Sequence, residues 1–219
     1  MTELMNKKIE QGREYRALDL APTPQAEMTV EGYATTFNEP YTLYRFEDER
    51  GMHEVREIVE PTAFNKTDMS DVIFQYDHEG RVFARLSNGT MSLDVDEHGL
   101  HVTAHLGGTE IGRNLFEEIK GGYTNKMSFG FTVEDDRFEI DGNNYLRTIT
   151  NVGKLYDVSA VSIPANGMTE ISARKHCEGV IAELETERMA AEERERIAQE
   201  KRESLARRVE SLRKESHGN

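Results

Sequence analysis

The sequence has little of what disulfide-bonded, membrane or nucleic-acid-binding proteins need. Its single cysteine, Cys177, excludes an intramolecular disulfide and fits a reducing compartment. No apolar run approaches the ~20 residues of a membrane span, and residues 1–16 have no apolar segment typical of a secretion signal. The formal net charge is −14, from 27 basic and 41 acidic residues, so the surface should repel a phosphate backbone. We therefore expect a cytoplasmic protein with neither a nucleic-acid partner nor a membrane partner.

Motifs for metals and phosphates are also missing. The segment HGLHVTAH contains His98, His101 and His105, and nearby histidines can bind zinc. In a strand, however, His101 and His105 share a face that His98 does not, and no cysteine or HExxH pattern supports a metal. The glycines of GGTEIG lack the lysine of a phosphate-binding loop. The sequence therefore predicts no cofactor.

Short strands are predicted through the middle of the chain. Apolar and polar residues alternate in MTVEGYATTF and HEVREIVE, and DVIFQYD is typical of a buried strand. One hairpin is predicted in TMSLDVDEHGLHVTAHL, and a second runs from NKMSFGFTVEDDRFEI to NNYLRTITNVG with its turn at DGNN. KLYDVSAVSI is a final strand, ended by Pro164. The clear helix of the middle region is TEIGRNLFEEIK, capped by Thr109 and stopped by Gly121.

The two ends differ from this middle region. Residues 1–27 are predicted to be a flexible arm, residues 28–175 the core domain, and residues 176–219 a charged helical tail. Small or apolar residues recur at one heptad position of the tail, but charged residues interrupt the second position that a coiled coil requires. The recurring residues are Leu184, Ala191, Ala198, Leu205 and Leu212. The pattern leaves two interpretations: a single solvated helix, or a helix that docks on scaffold or on a second copy, forming a homo-oligomer.

Three residues in the strand-rich region are candidates for catalysis: His78, Ser128 and Asp157. A hydroxyl is a poor nucleophile until an imidazole takes its proton, and a carboxylate orients that imidazole. Alternation in KMSFGF places Ser128 and Gly130 on the strand face opposite the apolar residues. We expect the bare glycine to leave room there for a peptide.

The segments around these residues resemble the prohead protease family of tailed bacteriophages, which are capsid maturation proteases distantly similar to herpesvirus assemblins. The resemblance runs from about Thr29 to Lys175. Its motifs are VEGYATTFNEPY, VREIVEPTAFNKT, DVIFQYDHEGRVFARLSNGTMSL, SLDVDEHGLHVTAHL, TEIGRNLFEEIKGGYTNKMSFGF and YDVSAVSIPAN. It implies an α+β fold: a compact, mainly antiparallel, β-barrel-like core with flanking helices, as in assemblins. The tail lies outside the resemblance, and its composition adds a long charged C-terminal helix to this fold.

The resemblance also implies roles for the three candidates. Ser128 would be the nucleophile, His78 its base and Asp157 the orienting carboxylate. The family commonly has Glu at the position of Asp157, and assemblins use a second histidine in this role. His101, His105 and Asp77 therefore stay open as alternatives for the third residue.

The function implied is that of a serine endopeptidase in the prohead, the immature capsid inside the host cytoplasm. It would cleave scaffold protein, or the scaffold-like arm of the major capsid protein, and then itself. The tail would be a scaffold-targeting or self-cleaved segment. The alternative is a catalytically inactive scaffold or assembly protein on the same fold.

Overall fold

Strands dominate the computed structural model, which describes residues 3–23, 26–162 and 166–216. The N-terminal part comprises α1 (Glu3–Glu10), β1 (Glu14–Asp19), β2 (Ala21–Pro22), β3 (Thr29–Thr36), β4 (Tyr41–Asp48) and β5 (Gly51–Val59). The following part comprises β6 (Ile73–Tyr76), β7 (Glu79–Arg85), β8 (Met91–Val95), β9 (Gly99–His105), α2 (Glu110–Lys120), β10 (Lys126–Asp141), β11 (Asn144–Val161) and α3 (Asn166–Ser216).

The strands form two sheets. The larger sheet has the order β1-β10-β11-β5-β4, and the smaller has the order β2-β3-β9-β8. Strand β11 organises the larger sheet because its first half pairs in parallel with β5 and its second half with β6, which in turn pairs with β7. The α+β class, the C-terminal helix and both hairpins, β8–β9 and β10–β11, are therefore confirmed. The expected β-barrel-like closure is wrong, since the two sheets of the described residues remain separate.

The main apolar core receives side chains from both sheets and from α2. Strand β10 contributes Met127, Phe129 and Phe131 from one face, as the alternation in KMSFGF predicts. Helix α2 buries an apolar stripe that includes Leu115 and Ile119. Its N-cap prediction is also confirmed, because the Thr109 hydroxyl accepts a hydrogen bond from the Gly112 amide at 3.1 Å.

The N-terminal segment is not the flexible arm that the sequence predicts. Residues 14–19 form strand β1, which pairs antiparallel with β10 from Glu14 opposite Phe131 to Asp19 opposite Lys126. Backbone pairing with β10 therefore orders a segment whose sequence, EYRALD, is more polar than is usual for a buried strand. Pro164, expected to end the last strand, lies outside the described residues, and β11 ends at Val161.

The chain divides into two compact units, residues 1–174 and 175–219. In the second unit, charges pair along the helix surface, for example Arg196 with Glu193 at 2.8 Å and with Glu200 at 3.6 Å. Among the side chains that the structure describes in this unit, large apolar ones are nevertheless exposed at Met189, Ile197, Leu205 and Val209. Among the described helices, none combines the length and the apolar character needed to cross a membrane.

Candidate active site

Strand register brings two of the three candidates to one face of the larger sheet. Ser128 lies opposite Ser159 in the β10–β11 pair, and Gly130 lies opposite Asp157. Since residues two apart share a strand face, Ser128, Asp157 and Ser159 all lie on the side away from the core residue Phe129. The hairpin therefore places a hydroxyl and a carboxylate on adjacent strands without any long connection.

His78 reaches this face from the tight turn between β6 and β7. Asp77 and His78 are the two central residues of the turn, with φ of 48° and 59°, the backbone of a type I′ hairpin. The Asp77 carboxylate accepts hydrogen bonds from the Ser162 amide and hydroxyl, both at 2.8 Å. Because Ser162 directly follows β11, this contact fixes the turn beside the strand that carries Asp157.

The three side chains form one chain of hydrogen bonds. The Nε2 atom of His78 lies 2.7 Å from the Ser128 hydroxyl oxygen, and Nδ1 is hydrogen-bonded to Oδ1 of Asp157. An ionised carboxylate only accepts, so Nδ1 carries the hydrogen and Nε2 accepts from the serine hydroxyl. All three residues are buried, with exposed fractions of 0% for His78, 0% for Ser128 and 1% for Asp157. This order of groups can activate a hydroxyl as a nucleophile.

Further polar and aromatic groups surround the carboxylate and the imidazole. The Ser159 hydroxyl donates to Oδ1 of Asp157 at 3.1 Å, and Nη1 of Arg13 lies 3.9 Å from Oδ2. The Tyr15 ring stands edge-on to His78, with 4.5 Å between the ring centroids. Burial, followed by the Asp157 charge, raises the pKa of Tyr15, so the phenol stays neutral beside the carboxylate.

Gly130 has a different role from the one that we expected. A Cβ atom at this position would come within 2.8 Å of both Oδ2 of Asp157 and Cε1 of Tyr15. The missing side chain therefore makes room for the Asp157 carboxylate rather than for an approaching peptide.

The alternatives for the third residue have other neighbours. His101 and His105 lie on β9 of the smaller sheet, where the His101 ring packs against Tyr33 and Nδ1 of His105 lies 3.4 Å from the Thr29 hydroxyl. Asp77 binds Ser162 through its side chain. Of the candidates, Asp157 is thus the one hydrogen-bonded to the His78 ring. Within the described ranges, no group of three or more His, Cys, Asp or Glu side chains could hold a metal ion.

Three neighbours of the site escaped the sequence reasoning. Ser159 could have been found, because it follows Asp157 by two positions in a strand and so shares its face. No pattern in the sequence indicates that Arg13 and Tyr15 lie near the site, since they belong to a segment that is predicted to be a flexible arm. Their positions follow from the pairing of β1 with β10.

A hydroxyl, an imidazole and a carboxylate hydrogen-bonded in this order define the class of serine hydrolases. A sequence profile described as caudovirus prohead serine protease matches residues 14–181, and the chain therefore belongs to that family. Membership indicates a serine protease of capsid maturation, a class that acts inside the prohead among capsid or scaffold proteins. No curated protein and no solved structure matches the chain significantly, so the similarity to assemblins stays a prediction.

Proposed function

We propose that the chain is an endopeptidase that uses Ser128 as nucleophile, His78 as general base and Asp157 as the orienting carboxylate. Its substrates are scaffold protein or the scaffold-like arm of the major capsid protein, and finally the protease itself. The observation that carries the proposal is the hydrogen-bond chain from Ser128 through both ring nitrogens of His78 to Asp157. The family match, which covers all three residues, supports the same reaction class.

The geometry suits acyl transfer in two steps. In the first step, the Ser128 oxygen attacks the carbonyl carbon of the scissile peptide bond while its proton passes to Nε2 of His78. The imidazolium then gives this proton to the leaving amine, and an ester remains on Ser128. In the second step, water attacks the ester carbon while His78 takes a proton from the water. The bond from this carbon to the Ser128 oxygen then breaks, the imidazolium returns the proton to that oxygen, and the new carboxyl terminus leaves.

Asp157 acts on the imidazole rather than on the substrate. Its hydrogen bond to Nδ1 selects the tautomer that leaves Nε2 free to accept, and its charge stabilises the imidazolium. The bond from Ser159 to the same carboxylate oxygen helps to fix the orientation of the carboxylate. The intact arrangement gives no support to the alternative of an inactive scaffold protein.

The direct test is cleavage of the cognate capsid and scaffold proteins by purified protein, with the new termini read by mass spectrometry. Ser128→Ala should abolish cleavage, a loss of several orders of magnitude in rate. Ser92→Ala is a matched control, because Ser92 is an exposed strand serine of the smaller sheet. Cleavage by Ser128→Ala at the rate of the unaltered protein would contradict the proposal, as would intact substrates in the presence of the unaltered protein.

We further propose that the second unit, residues 175–219, targets the protease to helical scaffold segments and is itself an early substrate. Exposed apolar side chains such as Ile197 and Leu205 lie on a helix with many paired charges, and such a helix gains order from a partner. Removal of residues 176–219 should leave cleavage of a short peptide intact but abolish incorporation into assembling proheads. Retained incorporation would place targeting in the first unit instead.

A further inference from the structure

The proposed nucleophile is closed off from solvent in this structure. Ser128 and His78 have no exposed surface. A scissile carbonyl must come within roughly 3–3.5 Å of the attacking oxygen, so some part of the chain has to move before a protein substrate can react. The hydrogen bonds of the three proposed catalytic residues are already formed, so these residues need no rearrangement. The part that has to move is therefore a segment that lies over them.

Helix α1 and the turn after it, which precede β1 in the chain, contact residues of the site. The Lys8 ammonium donates a hydrogen bond to the backbone carbonyl oxygen of His78 at 2.5 Å. Ile9 is buried against Tyr15, and these two side chains form an apolar cluster separate from the main core. Since the Tyr15 ring also packs edge-on against His78, α1 is linked to this residue in two ways: directly through the backbone carbonyl, and indirectly through Tyr15 to the imidazole.

Arg13 adds a third contact at the end of the same segment. Its guanidinium lies 3.7 Å from the centre of the Tyr156 ring and 3.9 Å from Oδ2 of Asp157. Gly12 precedes it with φ of +83°, a left-handed conformation in which a residue without a side chain is favoured. A Cβ atom at Gly12 would meet nothing within 4 Å, so this turn is open to solvent and suited to act as a hinge.

These attachments are weak compared with the core beneath them. The contacts of α1 before Gly12 include one hydrogen bond from a lysine and one apolar pair, and segments held in this way open at low free-energy cost. The profile of the family begins at residue 14, so α1 and Gly12 lie outside the part of the chain that matches the family. The segment can therefore move without removing any strand of the family domain.

We propose that residues 3–11 form an autoinhibitory lid, which rests on His78 and Tyr15 and must swing away about Gly12 before a substrate reaches Ser128. This proposal rests on the proposed role of Ser128 as nucleophile. Opening breaks the contacts of Lys8 and Ile9, while Arg13, which follows the hinge, and β1 stay in place. A capsid or scaffold segment then competes with the lid for the face that carries Ser128, and activity follows the fraction of open molecules.

The test uses full-length variants in which one lid contact is changed. Ile9→Asp removes the apolar contact with Tyr15, and Lys8→Met removes the hydrogen bond to His78. Lys7→Met is the matched control, because the Lys7 side chain is exposed. The first measurement is the rate at which a fluorophosphonate inactivates each variant. We expect an increase of about tenfold to a hundredfold for Ile9→Asp, a smaller increase for Lys8→Met and no change for Lys7→Met.

A second measurement reports access without catalysis. Ser128→Cys, alone and combined with Ile9→Asp, is treated with iodoacetamide, and peptide mass spectrometry locates the modified thiol. The thermal midpoint of the first unit, followed by circular dichroism of its tyrosines, serves as the control for general loosening of the fold. The thiol introduced at position 128 should react at least about tenfold faster with Ile9→Asp, whereas the first unit should stay folded at the temperature of the assay.

The two measurements separate the lid from the proposed function. If alkylation at position 128 accelerates while no variant reacts with the fluorophosphonate, the lid is supported and the nucleophile assignment is wrong. If the fluorophosphonate reacts equally fast with all variants, Ser128 is a nucleophile and the lid is refuted. Equal alkylation at position 128 with and without Ile9→Asp also refutes the lid, as does acceleration at position 128 that is accompanied by unfolding of the first unit.

Discussion

Glu57 lies at the centre of a buried cluster of charges in the larger sheet, and replacing it should destabilise the first unit strongly. Both of its oxygens accept from Arg16 at 2.7 Å, and one also accepts from Arg147 at 3.0 Å. The Tyr41 hydroxyl is a further donor. The change Glu57→Gln keeps the volume of the side chain but removes its charge. The guanidiniums of Arg16 and Arg147 would then keep only their other acceptors, chiefly the Glu14 carboxylate.

The size of the effect follows from burial. Glu57 and Arg147 have no exposed surface, and removing one partner of a buried ion pair costs about 3–5 kcal/mol. For a unit of this size, 1 kcal/mol corresponds to about 2–4 °C in Tm, so the midpoint should fall by roughly 6–20 °C. Glu54→Gln is a matched control on the same strand, because Glu54 pairs with Thr42 and Arg45 at the exposed surface. Such a pair contributes about 1 kcal/mol or less.

Near-ultraviolet circular dichroism of the tyrosines is the appropriate assay. The chain has no tryptophan, and all eight tyrosines lie within residues 1–174, so the signal reports on the first unit alone. Thermal and urea unfolding of the two variants and of the unaltered chain would be compared at neutral pH. If Glu57→Gln lowers the midpoint no more than Glu54→Gln does, the buried charges do not stabilise this sheet and the reasoning fails.

Three further predictions concern the buried charges and the proposed catalytic residues. Burial alone would raise the pKa of Glu14, but two neighbouring guanidiniums outweigh it and lower the pKa from 4.5 to about 2. The ionised carboxylate therefore stabilises the folded state by about 3 kcal/mol above pH 4.5, and this stability is lost as the pH falls to about 2. Urea unfolding midpoints measured across this range would show the loss. His78→Ala should be as inactive in peptide hydrolysis as Ser128→Ala, and the double variant no worse than either, because the two residues act as one unit; multiplied losses would contradict this. Asp157→Asn should reduce kcat less than either change, and Asp157→Glu should retain much of it; full activity of Asp157→Asn would exclude the orienting role.

Local pattern was sufficient to predict the part of the fold that carries the site. Alternation in KMSFGF separates the core face of β10 from the face of Ser128, and the DGNN turn fixes the hairpin that brings Asp157 alongside. The segment DVIFQYDHEG predicts a strand that ends shortly before His78, and β6 ends at Tyr76. These signals depend only on residues that are close in sequence, and the alternation of apolar and polar residues is enough to detect the strands.

The N-terminal strand could not be predicted in this way. Glu14 and Arg16 occupy buried positions in β1. Charged residues in a short segment ordinarily indicate a loop or an exposed strand. They are tolerated because Glu57 and Arg147, far along the chain, supply the opposite charges. Compensation of this kind is visible only after the strands have been paired. The contacts of Arg13 and Tyr15 with the site, which depend on β1, were hidden for the same reason.

Gly130 gives the final prediction, since its missing side chain is what admits the Asp157 carboxylate. A methyl group there would lie 2.8 Å from both Oδ2 of Asp157 and Cε1 of the buried Tyr15 ring, and of these two atoms the carboxylate oxygen is at the free end of its side chain. We therefore expect Gly130→Ala to displace the carboxylate from His78 while the surrounding strands stay paired. A displacement of about 1 Å in a catalytic group can reduce the rate roughly 100-fold, and kcat/KM for a peptide substrate should fall by this order.

Gly153→Ala is the control for this change. Gly153 lies on β11 of the same sheet, but a Cβ there would meet its nearest neighbour, the Thr132 hydroxyl, at an ordinary contact distance of 3.4 Å. The control should keep its activity, whereas Gly130→Ala should lose activity with a much smaller proportional change in thermal stability. Wild-type kcat/KM in Gly130→Ala would show that the carboxylate needs no such space. In that case the close fit between Gly130 and Asp157 would have no bearing on how His78 is oriented towards Ser128.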